Sequence, residues 1–342
     1  MAVPFSKFGY PVVNVKNPIY LGGALGNGSN DDVLPIQSAI NAAFGAPGTP
    51  HGLNSWQNRP LYFPHGHYLI SAPLNLTQVK GGLIFGDGMN GTWLVPSGVG
   101  YSCFVTNGCE NTRIERMTFG ATATGVGHGL DLNWDGTGDV ELKGNNICNC
   151  LIGGASGAGS YAIRIGAGGF GGSNNHIDHC YLSGNVGLGT LSASAVCNSI
   201  NGGNIAQTQT ACIRIVNGSV TLIDGIGFQN PSYHDAFDVM IDDCTDSVVI
   251  SGCRSESAKC FYLHGSNGVS IYGCNNNGPN PSDSPFPLTR YLDMANGKLI
   301  LDGGASLYGS FTGSTGTIYR RGGAYGVGFP GGFTGTIAQN LA

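Results

Sequence analysis

The chain has 342 residues, of which 59 are Gly and only 10% are charged, whereas average proteins contain about 7% Gly and about 25% charged residues. The Gly residues follow no three-residue period, which excludes collagen, and no apolar run reaches the roughly 18 residues of a membrane span. A net charge of -5 gives no electrostatic footprint for nucleic acid, so we expect neither membrane insertion nor a nucleic-acid partner.

The first predicted element is a helix over residues 31–44. Acidic residues stand at its start, apolar residues recur at positions 36, 40 and 44, and Gly45 follows. This arrangement is typical of helix boundaries. Two strand-like segments come next, at residues 61–70 and 82–88. The beginning of the chain shows no charged region followed by an apolar run, so no secretory signal is expected.

From residue 114 onward a short unit recurs, in which an apolar anchor is followed three places later by Cys or a substitute. The anchors are Ile114, Ile147, Ile177, Ile223, Ile250 and Ile271. Their intervals run from 21 to 46 residues, and the interval of 46 divides into two of 23 if Ile200 is a degenerate anchor. Short strands precede most anchors, at residues 162–165, 212–215, 237–241 and 260–263. Repeats of this length with Gly- and Asn-rich turns predict a parallel β-helix.

Stacked coils would align equivalent residues one strand spacing apart, about 4.8 Å. One inward row would consist of Cys150, Cys180, Cys253 and Cys274. We therefore interpret the cysteines as small apolar core residues. A row of bends would consist of Gly225, Gly252, Gly273 and Gly303. Gly suits such bends because it adopts positive φ without steric cost.

Four features together resemble the N-terminal signature of the pectate-lyase-like superfamily, which includes phage tailspikes and polygalacturonase-like proteins. They are residues 26–32, the helix with Ile36 and Ile40, residues 61–70, and the Phe-Gly-Asp-Gly stretch at residues 85–88. The resemblance implies an all-β fold, a right-handed single-stranded parallel β-helix with an N-terminal capping α-helix.

The predicted organisation has three parts. Residues 1–80 form an N-terminal segment with the capping helix and first strands, and residues 81–309 form the coils. The Gly-rich residues 310–342 are predicted as a C-terminal cap or oligomerisation segment, because the open end of a solenoid needs covering.

The resemblance also implies binding of extended polysaccharides, with acid and base carboxylates on neighbouring coils. Asp178 and Asp224 each follow an anchor by one place and would lie two coils apart, about 9.6 Å between backbones. Inverting glycosidases hold their carboxyl groups about 6.5–9.5 Å apart. We therefore predict Asp178 and Asp224 as general acid and general base, with Glu256 as a reserve carboxylate. The alternative is that Asp at a corner of the solenoid hydrogen-bonds the turn backbone.

Four further residues are predicted to bind substrate. His179 and Tyr181 flank Asp178 and could contact sugar by hydrogen bonding and stacking. Asp243 and Arg254 belong to a second charged cluster, whose Asp-Asp pair resembles a polygalacturonase element. An ordinary polar rim and solvated turns are the alternatives. The acidic spacing matches no EF-hand, and neither a metal ion nor another cofactor is expected.

The resemblance implies a phage tailspike or tail-fibre protein of the virion that binds and hydrolyses a bacterial surface polysaccharide. It also implies a homotrimer and contacts with other virion tail proteins. Two alternatives stay open: a non-catalytic receptor-binding or structural virion protein on the same scaffold, and a bacterial polysaccharide lyase.

Overall fold

The computed structural model describes most of residues 11–276 and five later strands. The described ranges are 11–45, 58–120, 125–167, 169–192, 195–217, 219–229, 236–244, 248–256, 259–264, 268–276, 291–292, 298–302, 310–311, 317–321 and 336–339. One helix is described, α1 (Val33–Phe44), and its 12 residues are too few to cross the hydrocarbon core of a bilayer.

The strands are short except for two. Those before residue 120 are β1 (Val13–Asn14), β2 (Asn27–Asp31), β3 (Leu61–Phe63), β4 (Gly66–Ile70), β5 (Leu74–Lys80), β6 (Leu83–Gly86), β7 (Thr92–Pro96), β8 (Phe104–Glu110), β9 (Arg113–Glu115) and β10 (Thr118–Phe119). The next are β11 (Leu130–Leu132), β12 (Leu142–Lys143), β13 (Asn146–Cys148), β14 (Leu151–Gly153), β15 (Tyr161–Ile165), β16 (His176–Thr190), β17 (Val196–Val216), β18 (Ser219–Asp224), β19 (Gly227–Gln229) and β20 (Phe237–Asp242). The last are β21 (Val248–Ser251), β22 (Arg254–Ser255), β23 (Lys259–His264), β24 (Val269–Tyr272), β25 (Asn275–Asn276), β26 (Tyr291–Leu292), β27 (Lys298–Asp302), β28 (Ser310–Phe311), β29 (Thr317–Arg321) and β30 (Thr336–Gln339).

These strands form a parallel β-solenoid, as the sequence predicts, and they lie on three faces. The first face contains β3, β6, β9, β13, β18, β21, β24 and β27, which carry the anchors. The second face contains β4, β7, β10, β14, β19, β22 and β25. The third face contains β5, β8, β11, β15, β20 and β23. The long strands β16 and β17 run around the corners and contribute to all three faces.

The predicted anchors form one buried row inside the first face. The row consists of Ile114, Ile147, Ile177, Ile200, Ile223, Ile250 and Ile271 in register, and the backbone of Leu301 continues the register. Ile200 pairs with both Ile177 and Ile223, so the interval of 46 residues holds two coils. The prediction of a degenerate anchor at Ile200 is confirmed.

The predicted cysteine row is also confirmed. It lies inside the corner between the first and second faces, where the consecutive residues are Met117, Cys150, Cys180, Gly203, Ile226, Cys253 and Cys274. The four cysteines are buried, and all four are free thiols. Burial raises the pKa of the Cys150 thiol, which keeps it neutral and suits it to an apolar core.

The bend that precedes this row has a left-handed backbone in coil after coil. Its residues are Arg116, Asn149, His179, Gly202, Gly225, Gly252 and Gly273, with φ between 52° and 62°. The predicted bend glycines are confirmed in this conformation except Gly303, which lies outside the described residues. Because a left-handed residue turns the chain sharply, the first and second faces meet at a tight edge.

Helix α1 packs against the first coils, as the resemblance implies. Ile36, Ile40 and Phe44 lie on one side of the helix, are buried, and join the same core as the anchors. Gln37 fixes the helix to β5, since its side chain donates to the Asn75 carbonyl at 3.2 Å and accepts from the Asn75 N–H at 2.9 Å. The helix therefore covers the N-terminal end of the apolar interior.

Parallel pairing continues within the Gly-rich C-terminal segment. Ile318 of β29 pairs with Leu299 of β27 and with Ile337 of β30. Strands of the solenoid therefore occur beyond residue 309. The role of residues 310–342 as a cap or an oligomerisation segment stays a prediction.

Replacing Gly252 by Ala should lower the free energy of unfolding by about 1–2 kcal/mol, the usual cost of a left-handed conformation for an L-residue. Gly252 has φ +60°, and an added Cβ would lie 3.6 Å from its nearest neighbour, so the loss would report backbone strain rather than a clash. Gly252→Asn is the matched control, because Asn tolerates this conformation and Asn149 occupies the same row. Urea denaturation measures both variants, and equal stability of the two would contradict the explanation.

Candidate functional site

The two predicted catalytic carboxylates lie in one outward row on the first face. Asp178 pairs with Asn201, and Asn201 pairs with Asp224, so two strand spacings, about 9.6 Å, separate their backbones. Asp178 is half-buried and Asp224 is exposed. The structure therefore places the pair as the sequence predicts, while their catalytic role stays a prediction.

Both carboxylates take part in a polar ladder along this row. Asp178 accepts hydrogen bonds at both oxygens, from the Asn201 side-chain amide at 2.9 Å and the Asn146 side-chain amide at 3.2 Å. The Ser251 hydroxyl donates to Asp224 from the following coil. Asp178 is thus held between two coils, whereas Asp224 presents the more accessible carboxylate.

His179 and Tyr181 separate at the bend. His179 is the left-handed residue of its coil, with φ 52°, and its ring lies over Gly202 of the next coil, about 3.1 Å from where a Cβ would stand. Tyr181 is on the second face, in register with Leu151 and Asn204. The two side chains therefore flank the edge between the faces.

Arg254 and Glu256 lie together on the second face. The Arg254 guanidinium donates to Glu256 at 2.7 Å, and 63% of the Arg254 side chain is exposed. Arg254 continues the outward row of Tyr181, three coils further along. Exposed ion pairs contribute little to stability, so this pair is available for contacts at the surface.

Asp243 is at a different corner. It follows the end of β20 on the third face, is exposed, and has φ 53°. The structure does not bring Asp243 together with Tyr181 or Arg254, and its predicted contact with substrate stays a prediction.

An open groove of about 430 Å³ lies on the second face. It is lined by Trp93, Val95, Thr118, Phe119, Gly120, Leu151, Gly153, Gly154, Ser156, Ser183, Gly184, Gln207 and Gln209. Gly120 directly follows β10, Gly154 and Ser156 follow β14, and the other lining residues belong to β7, β10, β14, β16 and β17. These strands belong to five successive coils. Four strand spacings correspond to about 19 Å, so the groove runs along the solenoid axis.

Trp93 forms one end of this groove. Its ring stacks on His67 with centroids 5.4 Å apart and planes 18° from parallel, and its indole N–H donates to the Asn90 carbonyl at 3.3 Å. These contacts hold the ring at the surface, where it is half-buried. Alternation along β7 buries Leu94 and turns Trp93 outward, which is the signal in the sequence that could have identified it.

Backbone rather than side chains forms the middle of the groove. A Cβ added to Gly184, which has φ +130°, would lie 2.6 Å from the Gly154 carbonyl oxygen. The close approach of these two coils is possible only without side chains at this point. Peptide groups therefore form the floor of the groove at this point.

A second candidate, a charged cluster, lies on the third face. The Arg164 guanidinium donates to both oxygens of Asp131 at 2.8 and 2.6 Å, and the Asn133 amide donates to Asp131 at 2.6 Å. His128 is buried beside them and accepts from the Tyr161 N–H at 3.0 Å through Nδ1. Because the Asp131 carboxylate is bound on both oxygens, we interpret this cluster as structural.

These observations define the class of the protein, a parallel β-solenoid with an open groove on one outer face. A family model described as rhamnogalacturonase A/epimerase, pectate lyase-like, matches residues 13–113. The match confirms the resemblance to pectate-lyase-like proteins in this part of the chain. No curated protein sequence matches the chain.

Several solved structures share the fold at low identity. The A-module of the mannuronan C-5 epimerase AlgE6 of Azotobacter vinelandii has a TM-score of 0.57 at 15% identity, over 96% of this chain and 99% of that chain. ORF18 of Geobacillus virus E2 has a TM-score of 0.53 at 16% identity, over 96% and 60%. Tailspike protein 2 of the Escherichia coli O157:H7 bacteriophage CAB120 has a TM-score of 0.54 at 14% identity, over 96% and 41%. This chain thus spans less than two thirds of the length of the two viral proteins.

The His128 cluster predicts a measurable dependence of stability on pH. Burial, followed by the positive charge of Arg164, lowers the pKa of His128 to about 4, against about 6.5 in an unfolded chain. The fold favours neutral His128. The unfolding free energy is therefore highest above about pH 6.5, where His128 is neutral in both states. It decreases as the pH falls toward 4, because in this range only the unfolded chain binds the proton.

His128→Asn removes the titrating group, while its side-chain oxygen can still accept from the Tyr161 N–H. Between about pH 7 and pH 4.5, wild type should lose about 2 kcal/mol more unfolding free energy than the variant. Urea denaturation at both pH values measures this difference, and identical pH dependence in the two proteins would refute it.

Proposed function

We propose that this chain binds a bacterial surface polysaccharide along the groove of the second face. The groove across five coils, with Trp93 at its end, is the observation that supports this function. An elongated site suits an extended polymer, and an exposed aromatic ring offers an apolar surface on which a sugar ring can stack. The phage tailspike among the structural neighbours supports a role in the virion tail.

The outward rows beside the groove extend the proposed surface. Tyr181 continues the row of Trp93, Thr118 and Leu151, and Asn204 follows it. The Asn204 amide donates to Gln229 at 2.8 Å, which orients two polar side chains on this face. Arg254 and Glu256 lie on the same face, one coil beyond β19. Assembly as a homotrimer and attachment to other virion tail proteins complete the proposal.

Hydrolysis is a second proposed function, and a separate observation favours it. Asp178 and Asp224 share one outward row with only Asn201 between them, and their backbone separation of about 9.6 Å leaves room for carboxyl groups at the spacing of an inverting glycosidase. In this mechanism one carboxylic acid protonates the glycosidic oxygen and the other carboxylate activates water. The row lies on the first face, across the bend from the groove. Substitutions in the groove therefore test binding, and substitutions in the row test cleavage, independently of each other.

Trp93→Ala should weaken polysaccharide binding about three- to tenfold, because a buried aromatic contact contributes about 0.5–1.5 kcal/mol beyond its area. Immobilised capsular and O-antigen polysaccharides identify the polymers that wild type retains, and titration of those polymers measures the loss. Phe170→Ala is the matched control, because Phe170 is also an exposed aromatic residue, 52% accessible, and lies outside the groove. Retention of no polysaccharide, or equal binding by the Trp93 variant, would refute the proposal.

Asp178→Asn and Asp224→Asn should each reduce the formation of new reducing ends about a hundredfold or more, because each removes a general acid or base. Binding to the same polysaccharide should stay within about twofold of wild type. Asp139→Asn changes an exposed Asp elsewhere on the chain and serves as control. Cleavage at the wild-type rate by both variants would refute the assignment of Asp178 and Asp224 as catalytic residues. Ultraviolet absorbance of an unsaturated uronate would identify a lyase instead, and binding without shortening would identify a receptor-binding protein.

A further inference from the structure

The groove lining contains no ionisable side chain. Trp93, Val95 and Leu151 supply apolar surface, and the other side chains that line the groove are neutral. The polar groups with the greatest exposure are the amides of Gln207 and Gln209, which carry hydrogen-bond donors and an acceptor but no charge.

The two glutamines stand at an irregularity of the coil. Between β16 and β17 the register shifts twice, once between Leu182 and Gly184 and once between Gly184 and Val186. Because Ile205, Thr208 and Ala211 are the respective partners of these residues in β17, each shift adds one residue to β17. Gln207 lies in the first added stretch and Gln209 in the second. Bulges of this kind redirect side chains and occur next to binding sites.

Gln207 also has a left-handed backbone, with φ 56°. This conformation is uncommon for a residue other than Gly, Asn or Asp and has an energetic cost. The neighbouring Thr208 stays buried, so the chain keeps its inward contact while both glutamines face the groove. The bulges thus place two neutral amides side by side at the end opposite Trp93.

We propose that the groove selects an uncharged glycan, with Gln207 and Gln209 as the residues that recognise its hydroxyl groups. The inference rests on the proposed polysaccharide binding and specifies the class of polymer. A carboxylate or phosphate group placed in this groove would lose water without gaining a cationic partner, and such desolvation is unfavourable. Hydroxyl groups, in contrast, are satisfied by amide donors and acceptors, and the apolar faces of the sugar rings match Trp93 and Leu151.

The test uses every polysaccharide that wild type retains and that Trp93→Ala binds more weakly. Each is titrated at low and high salt, and any acidic polymer is titrated again after chemical reduction of its carboxyl groups. We expect the retained polymers to be uncharged, with dissociation constants that change less than about twofold with salt, since no phosphate or carboxylate contact is screened. Alginate and polygalacturonate should bind more weakly than their carboxyl-reduced forms.

Variants of the two glutamines test the assignment of residues. Gln207→Ala and Gln209→Ala should each weaken binding of the uncharged polymer about three- to tenfold. Thr137→Ala is the control, because Thr137 is an exposed neutral residue with a hydrogen-bonding side chain and does not line the groove, so the change should alter binding less than about twofold.

Failure of this inference differs from failure of the proposed function. Binding of an acidic polymer that depends on Trp93 and is lost on carboxyl reduction would overturn the selection of an uncharged glycan but leave polysaccharide binding in place. Unchanged binding by both glutamine variants would overturn their role in recognition. Retention of no polysaccharide at all would overturn both proposals.

Discussion

The structure depends on the in-register stacking of parallel strands about 4.8 Å apart. This spacing forces equivalent residues of successive coils into rows, so every inward position must accept the same kind of side chain above and below it. Ile at the anchors and Cys at the neighbouring corner meet this requirement because both are apolar and fit a narrow interior. The left-handed bend is repeated for the same reason, since a coil that bent elsewhere would lose its hydrogen bonds to both neighbours.

The same stacking creates ladders of polar residues where a row cannot be apolar. Asn145, Asn175 and Asn198 are buried at the corner between the third and first faces. The Asn145 side chain donates to Asn175 at 2.9 Å, and the Asn175 side chain donates to Asn198 at 3.0 Å. Buried amides are tolerated because each finds a partner one coil away. Asp178 between Asn146 and Asn201 follows the same rule on the outside, so a carboxylate in a ladder is both a candidate catalyst and a structural partner.

Distinct surface features arise where the regular stacking is interrupted. In the groove, Gly154 and Gly184 remove side chains, and two bulges in β17 add residues that the preceding coil does not match. A regular solenoid presents similar rows along its whole length, whereas these interruptions give one face a bounded site. Local departures from the repeat therefore determine where along the axis a surface site lies, whereas the repeat itself determines on which face each side chain lies.

The sequence by itself determined the coil register, because the apolar anchors and the bend glycines recur at positions that only one alignment of the coils satisfies. Ile200, the cysteine row and the placement of Asp178 and Asp224 in one outward row all followed from that alignment. The groove did not, because its residues come from five coils and several contribute only backbone. The sequence does not single out Gln207 and Gln209, because a bulge is defined by pairing with the neighbouring strand and cannot be recognised from the sequence of its own strand. Only the tertiary structure decided that Tyr181 and Arg254 share a face while Asp243 lies at another corner, since the direction of each side chain depends on where the chain turns.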